Sequence, residues 1–238
     1  MHSPFARTAG KFGGRRWWQA IVLLLATVSC TGCNVVLLLG YLIGGPPSIE
    51  PDFEKQTKKA LSSRNTRVLV YCYAPNELKW DHDKIDYELA KFVSHRFNSN
   101  DITVVDPDRV YAWIDKNPNF DKDSELGVAF NVNYVVKIDL REFSLFEEHS
   151  HDLFRGRCDG IISVLAMDKK EDGTVRKTGS IIYTKQLASR YPTSGPIATN
   201  QYPFETFKGL YLSALSEDIG VKFYKSYAGD EYTRTAIQ

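Results

Sequence analysis

The stretch RVLVYCY, Arg67 to Tyr73, is apolar on both of its alternating sides. Val68, Val70 and Cys72 share one side and Leu69, Tyr71 and Tyr73 the other, the pattern of a central strand covered above and below. Downstream the period changes. Ile85, Leu89, Phe92, Val93 and Arg96 recur at helical spacing and predict a helix from Asp83 to Phe97, with Asp81 or Asp83 as N-cap and Asn98-Ser99-Asn100 as its stop. Ile102 to Val105 reads as a short strand. Asp106-Pro107 opens a helix through Val110, Trp113 and Ile114, and Glu125 to Phe130 forms another short one. In Tyr134 to Phe143, the residues Tyr134, Val136, Ile138 and Leu140 alternate with Lys137, Asp139 and Arg141, which predicts a strand with one wet face. Leu153 to Met167 and Ser180 to Ala188 read as two long strands joined across DKKEDGT, whose Asp172-Gly173 is a hairpin signal. Finally, Phe207, Leu210, Tyr211, Ala214, Leu215, Ile219 and Phe223 form one stripe on a closing helix from Phe204 to Tyr227.

The order β-α-β-α-β-β-β-α predicts an α/β fold over residues 67–228: a mixed β-sheet of about five strands, with helices packed mainly on one face. Residues 229–238 read as a flexible tail. Ser48 to Arg64 is polar and charged, with at most a loose helix in EKQTKKALSSR, and reads as a linker into the domain.

The amino-terminal segment follows different rules. Arg7, Lys11, Arg15 and Arg16 stand without an acid before Trp17, and from there no charge occurs through Ile43. This is the basic and apolar pattern of an export signal, with the basic flank in the cytoplasm and the polar domain outside. Two fates fit. Ile21 to Val28 is a compact apolar core, and Thr31-Gly32-Cys33 supplies small residues before a cysteine, as in a bacterial lipoprotein signal; residues 1–32 would then be removed and Cys33 would carry lipid. In that case residues 33–66 comprise the attachment site, an apolar stub and the linker. Cys30 stands three residues before Cys33, where such signals usually have leucine, and Thr27-Val28-Ser29-Cys30 is a second candidate. Alternatively the segment 17–43 is left whole as a membrane anchor. Ile21 to Ile43 would extend about 34 Å as a helix, enough for a hydrocarbon core of about 30 Å. The smallest and most polar residues, Ser29 to Asn34, fall at its middle, which favours lipidation. Gly44-Gly45-Pro46-Pro47 then breaks any helix.

Charge changes the picture by exclusion. The 238 residues carry 30 Lys and Arg against 29 Asp and Glu, so no basic footprint for nucleic acid is present. Cys30-x-x-Cys33 lies inside the apolar run, away from the helix start that a redox pair requires. Cys72 and Cys158 fall in strands, either as a bridge in an oxidising compartment or as two buried thiols.

Other chemistry is sparse. In Glu147-Glu148-His149-Ser150-His151-Asp152, His149 and His151 would point the same way from an extended segment and are the candidates for a divalent metal, against a plain charged connection. Asp81-His82-Asp83 sits at a helix start, where acids meet the positive end of the dipole. There is no Gly-x-Ser-x-Gly, no histidine beside Cys72 or Cys158, and no glycine-rich phosphate loop after a strand. No catalytic residue, cofactor or small-molecule substrate is therefore expected; the alternative readings are a single-pass membrane-tethered metal-binding enzyme using the His149 and His151 region, or a small-ligand-binding protein, which a deep apolar pocket would mark. Arg190 to Pro203, with three prolines, is the expected contact loop, its candidate residues being Tyr191, Pro192, Pro196 and Tyr202.

LGVAFNVNYVVKIDLREF, Leu126 to Phe143, followed by a two-strand hairpin, resembles the envelope lipoproteins of the curli-secretion and penicillin-binding-protein-activator type and the N-terminal domain of TolB. The resemblance spans about Arg67 to Tyr227. It implies a periplasmic, non-enzymatic module for envelope assembly, export or interaction, with envelope proteins as partners and no catalytic residues to carry over. No second pair of alternating strands is available for membrane-crossing hairpins, so a pore is not expected. Asn34 after Cys33, where enteric inner-membrane lipoproteins have Asp, implies the outer membrane; the uncleaved alternative is a single-pass inner-membrane protein with a periplasmic domain.

Overall fold

The computed structural model describes residue 40, residues 48–170 and residues 173–227. The chain divides into two compact units between Pro47 and Ser48. No described helix is long and apolar enough to cross a membrane. The leader 1–32, Cys33, the alternative anchor 17–43 (Gly40 apart) and the tail 229–238 lie outside the described residues.

In the second unit the strands are β1 (Ser48–Ile49), β2 (Val68–Tyr73), β3 (Tyr134–Phe146), β4 (Leu153–Lys169), β5 (Val175–Tyr191), β6 (Ile197–Ala198) and β7 (Ser226–Tyr227). The helices are α1 (Asp52–Thr57), α2 (Asn76–Asp81), α3 (Ile85–Asn98), α4 (Pro107–Lys116), α5 (Asp123–Ala129) and α6 (Phe204–Gly220). A five-stranded mixed sheet runs β2-β3-β4-β5, with β6 added to β4. β2 is parallel to β3, pairing from Val68↔Tyr134 to Tyr73↔Asp139, and β3, β4 and β5 form an antiparallel meander. This is the α/β class that the hydrophobic pattern predicts.

Helices cover both faces unequally. One face of the sheet, with Val70, Ile138, Ile162 and Leu187, meets Leu89 and Val93 of α3 and Phe207, Tyr211 and Leu215 of α6 in the larger core. The opposite face carries a smaller core of Leu69, Tyr71 and Val135 under Val110 of α4 and Leu126 of α5. The apolar pattern of β2 therefore reflects helices above and below it. It is not central in the sheet: its outer edge meets only residues 103–105, through the single bridge Val68↔Val104, and the predicted strand Ile102–Val105 reduces to that bridge. Tyr111 closes the edge further on, its hydroxyl donating to Cys72 O and accepting from Cys72 N at 3.0 and 3.1 Å.

Three further boundaries differ from the sequence reading, each for a tertiary reason. Residues 48–66, read as linker, place Phe53 and Leu61 in the core, both 0% exposed. Neither Asp81 nor Asp83 caps α3. Residues 76–81 make an additional helix, and Lys84 enters α3 in a left-handed turn at φ 61° without a side-chain cap. The closing helix stops at Gly220, because the chain turns back there to bury Phe223 and Tyr224 and to pair Ser226–Tyr227 with Ser48–Ile49. A Cβ at Gly220 would stand 2.5 Å from Tyr224 Oη, so an added methyl would displace the end of that ring.

Cys72 and Cys158 are both free and buried. They belong to β2 and β4, which β3 separates, so at about 4.8 Å per strand spacing their Cα atoms are roughly 10 Å or more apart, beyond the reach of a bridge of about 7 Å. Burial pushes the Cys158 thiol up to about 12 and Cys72 well above its ordinary value, so neither is a ready nucleophile.

Candidate interaction surface

Two surfaces carry unusual side chains, and the first is the end of the sheet where β2 and β3 finish. Aromatic rings line it in two rows. In the inner row His82 stands edge-on to Phe143 at 5.0 Å, Phe143 stacks on Tyr211 at 5.5 Å, and Tyr211 stacks on Tyr191 at 6.3 Å. In the outer row His151 meets Phe146 at 5.8 Å, and Phe146 stacks on Phe204 at 6.1 Å. A bulge between Leu140 and Glu142 makes this possible, since the extra residue restores the inward phase and returns Phe143 and Leu145 to the core. Exposed apolar groups sit at the start of α6 and on α2: Phe204, Tyr202 and Trp80, the last 82% exposed.

The connection from β3 to β4 does not present His149 and His151 as an extended pair. His149 takes a left-handed conformation at φ 60°, which turns the segment, and both histidines are exposed. Among the described residues no three His, Cys, Asp or Glu side chains gather where a metal ion could be held. Instead, Glu147 accepts from Arg155 at 2.8 Å and Glu148 pairs with Arg157. The Arg155 bond holds the Glu147 carboxyl below its ordinary range.

The expected contact loop is only partly a loop. Tyr191 belongs to β5 and packs inward on Phe207 and Tyr211, and Pro192, joined to it by a cis peptide bond, is buried. Ile197–Ala198 pairs with Leu153–Phe154, and Thr199 N donates to Asp152 O at 2.9 Å. Pro196 and Tyr202 face solvent. Trp80 was not singled out from the sequence because a lone tryptophan in a short polar segment has no periodic neighbours to show which way it faces.

His82 makes this end sensitive to acid. Burial lowers its pKa below the ordinary 6.5, opposed by Asp81 and Glu88 and reinforced by Lys208. Because the folded state binds this proton less readily than the unfolded chain, stability is full above about pH 6.5 and falls as pH drops from there through the depressed folded value. Urea titrations at pH 7.5 and 5.5 are expected to show a larger acid loss for the wild-type chain than for His82→Phe. Equal losses would remove His82 as the cause.

The second surface is the open sheet face beside α5. Lys137 Nζ lies 6.0 and 5.8 Å from the ring centres of Tyr71 and Tyr73 and 3.9 Å from Asp123 Oδ1, while Tyr71 donates its hydroxyl hydrogen to Asp123. Burial, with Asp123 alongside, drives the Tyr71 pKa far upward, so this tyrosine stays protonated as a positioning hydrogen-bond donor. Beyond this cluster the same face carries Asp139 on β3, Asp159, Ile161 and Ser163 on β4, and Thr184, Gln186 and Ala188 on β5.

No protein-family model matches the chain, and no curated protein matches it. Solved bacterial proteins are similar in structure. A PelC dodecamer from Paraburkholderia phytofirmans is 10% identical, covering 75% of this chain and 96% of its own, with a TM-score of 0.40. A lipoprotein from Neisseria meningitidis is 12% identical, covering 65% and 97%, at 0.38. The LpoB C-terminal domain from Salmonella enterica is 12% identical, covering 58% and 98%, at 0.26. At such scores the likeness fixes neither an activity nor a partner.

Proposed function

We propose that this chain is a non-enzymatic cell-envelope lipoprotein whose folded unit works outside the cytoplasmic membrane as an assembly, export or interaction module. One observation carries the reading: a basic flank, then a charge-free run from Trp17 to Ile43 containing Thr31-Gly32-Cys33, placed directly before a separate folded unit that starts at Ser48. Residues 1–32 are the signal peptide and Cys33 is the lipid attachment site. Asn34 to Ile43 remains beside the acyl chains and adds apolar area to the anchor. The Leu126 to Phe143 resemblance to envelope proteins of the curli-secretion, penicillin-binding-protein-activator and TolB type points the same way, and Asn34 favours the outer membrane.

The organisation of the folded unit suits a display role. Its chain enters at Ser48 and leaves at Tyr227, two residues paired with each other, so one short ribbon gathers both connections. The exposed aromatic residues at the start of α6 lie at the other end of that helix from this ribbon.

Intact-mass measurement of the membrane-extracted protein tests the anchor. The expected mass is that of residues 33–238 plus several hundred daltons of acyl groups, and Cys33→Ala is expected to leave the chain unprocessed. A full-length unmodified mass from the wild type would replace the lipid with an uncleaved anchor, and a cytosolic location would end the envelope reading altogether.

A further inference from the structure

We propose that the outer edge of β5 receives an extended acidic segment of a partner protein, which adds to the sheet as a further strand. This inference deepens the interaction-module reading and rests on it. β5 closes the path β2-β3-β4-β5, and among the described residues no strand lies along its outer side. Such an edge offers a row of unpaired backbone N–H and C=O groups. Proteins that keep such an edge unused shorten it, charge it, especially with Lys, break it with proline, or bend it away with a bulge. β5 is charged and its lower half is bulged, yet it is neither short nor broken by proline, so its charge selects among partners and its upper half stays open to pairing. It runs from Val175 to Tyr191 without a proline, and its register is unbroken from Tyr183↔Val164 to Tyr191↔Gly156, a straight length of roughly 30 Å. The bulge at Ile182 marks the lower limit of that stretch.

Charge selects the occupant. β5 contains Arg176, Lys177, Lys185 and Arg190 and no acid. Lys185 is already bound by Asp52 at 3.0 Å, on the core side. Arg176, Lys177 and Arg190 have no ion-pair partner among the described residues. Arg190 has a further reason to seek one: its cross-strand neighbour on β4 is Arg157, a like charge, which Glu148 neutralises from the far side. A strand added outside β5 would place a side chain directly beside Arg190 on its other flank, about 5 Å away, where a glutamate or aspartate would relieve the repulsion. On β5 itself the rest of that face, Thr184, Gln186 and Ala188, is uncharged; the one acid nearby, Asp159 of β4 opposite Ala188, lies on the inner flank and leaves the outer flank of Arg190 without one, and Ile181, 64% exposed, offers an apolar contact just beyond the bulge. Backbone pairing supplies the affinity in this mode of recognition and the alternate side chains supply the choice of partner. The favoured segment therefore alternates acidic with β-branched residues.

The experiment uses the full chain in detergent and a fluorescein-labelled synthetic peptide, TVEVTVEVT, followed by anisotropy. Three comparisons accompany it: TVKVTVKVT, the acidic peptide N-methylated along both edges, and the Arg190→Glu protein. Expected results are binding of the acidic peptide about tenfold or more tighter than the lysine peptide, loss of binding on N-methylation, and a reversed preference in Arg190→Glu. Equal binding of the acidic and lysine peptides would overturn the charge argument. Retained binding of the N-methylated peptide would overturn strand addition, and absence of binding at about 1 mM peptide would show an edge closed to partners. Self-association that the acidic peptide dissolves would give the edge to a second copy instead. A lipidated chain that fails to bind sinks this proposal alone, whereas an unprocessed cytosolic chain that binds sinks the envelope reading alone.

Discussion

Phe53→Ala is expected to lower stability by about 3–5 kcal/mol, a large share of the roughly 5–15 kcal/mol that holds a domain folded. Phe53 lies in a segment whose composition reads as linker, yet it is completely buried, with Tyr183 at 5.5 Å, Phe223 at 5.6 Å and Tyr134 at 6.2 Å between ring centres. These contacts reach three separate places in the chain: β5, the turn after α6, and the start of β3. Its backbone N–H also donates to Lys222 O at 2.9 Å, which ties α1 to that turn. Removing the ring leaves a void that these neighbours cannot fill without moving the elements to which they belong. For a unit of this size the melting temperature should fall by roughly 10 °C, read by circular dichroism on the full chain in detergent. Lys55→Ala, on the exposed side of the same helix, should stay within about 0.5 kcal/mol of wild type. A Phe53→Ala melt within about 2 °C of wild type would return residues 48–66 to the status of a linker.

Gly156→Ala is expected to be a costly single-methyl change in the sheet. An added Cβ would lie 2.3 Å from Tyr211 Cγ and 2.4 and 2.5 Å from its two Cδ atoms. Those atoms are near the root of a fully buried ring held between Phe143 and Tyr191, so Tyr211 cannot swing aside. Overpacking of this kind costs about 1–3 kcal/mol, and the absence of an escape route puts this site at the upper end. Tyr211→Ala alone should cost about 3–5 kcal/mol through its cavity. The double variant should then cost less than the sum of the two by more than about 1 kcal/mol, because the new methyl enters space the ring has left. Strict additivity in urea unfolding would mean that the clash is relieved elsewhere. Gly209→Ala provides contrast: no atom lies within 4 Å of its Cβ position, and as a helical glycine it should gain up to about 1 kcal/mol.

Much of the framework was legible because burial leaves a period. The alternation in Tyr134 to Phe143, the two long strands around Gly173 and the stripe through Phe207, Tyr211, Leu215 and Ile219 all appear where the sequence places them. A period reports that a side chain is covered and is silent on what covers it. RVLVYCY is apolar on two sides whether its strand is central or outermost, and only the positions of α3 and α4 show that helices provide the cover. Phe53 and Leu61 were lost for the opposite reason. Each is a single apolar residue in a polar stretch, and one buried side chain sets no period.

The candidate surfaces were less legible than the core. Tyr191, chosen as a loop contact, is drawn inward by Phe207 and Tyr211, residues distant in the chain, while Trp80 stands exposed in a helix the pattern did not reveal. The basic residues of β5 are plain in the sequence, but their meaning depends on that strand having no strand on its outer side among the described residues, which is a property of strand order.

By itself the amino-acid sequence determined the α/β class and the residues forming most of the cored strands and helices, since solvent exclusion acts on side chains at local spacing. The tertiary structure alone decided that β5 lies outermost, that residues near Ser48 belong to the core, and that two cysteines stand too far apart to join. Those outcomes arise from pairings between segments far apart in the chain, whose free energy depends on register and on packing shape, and neither quantity is written in any local run of residues.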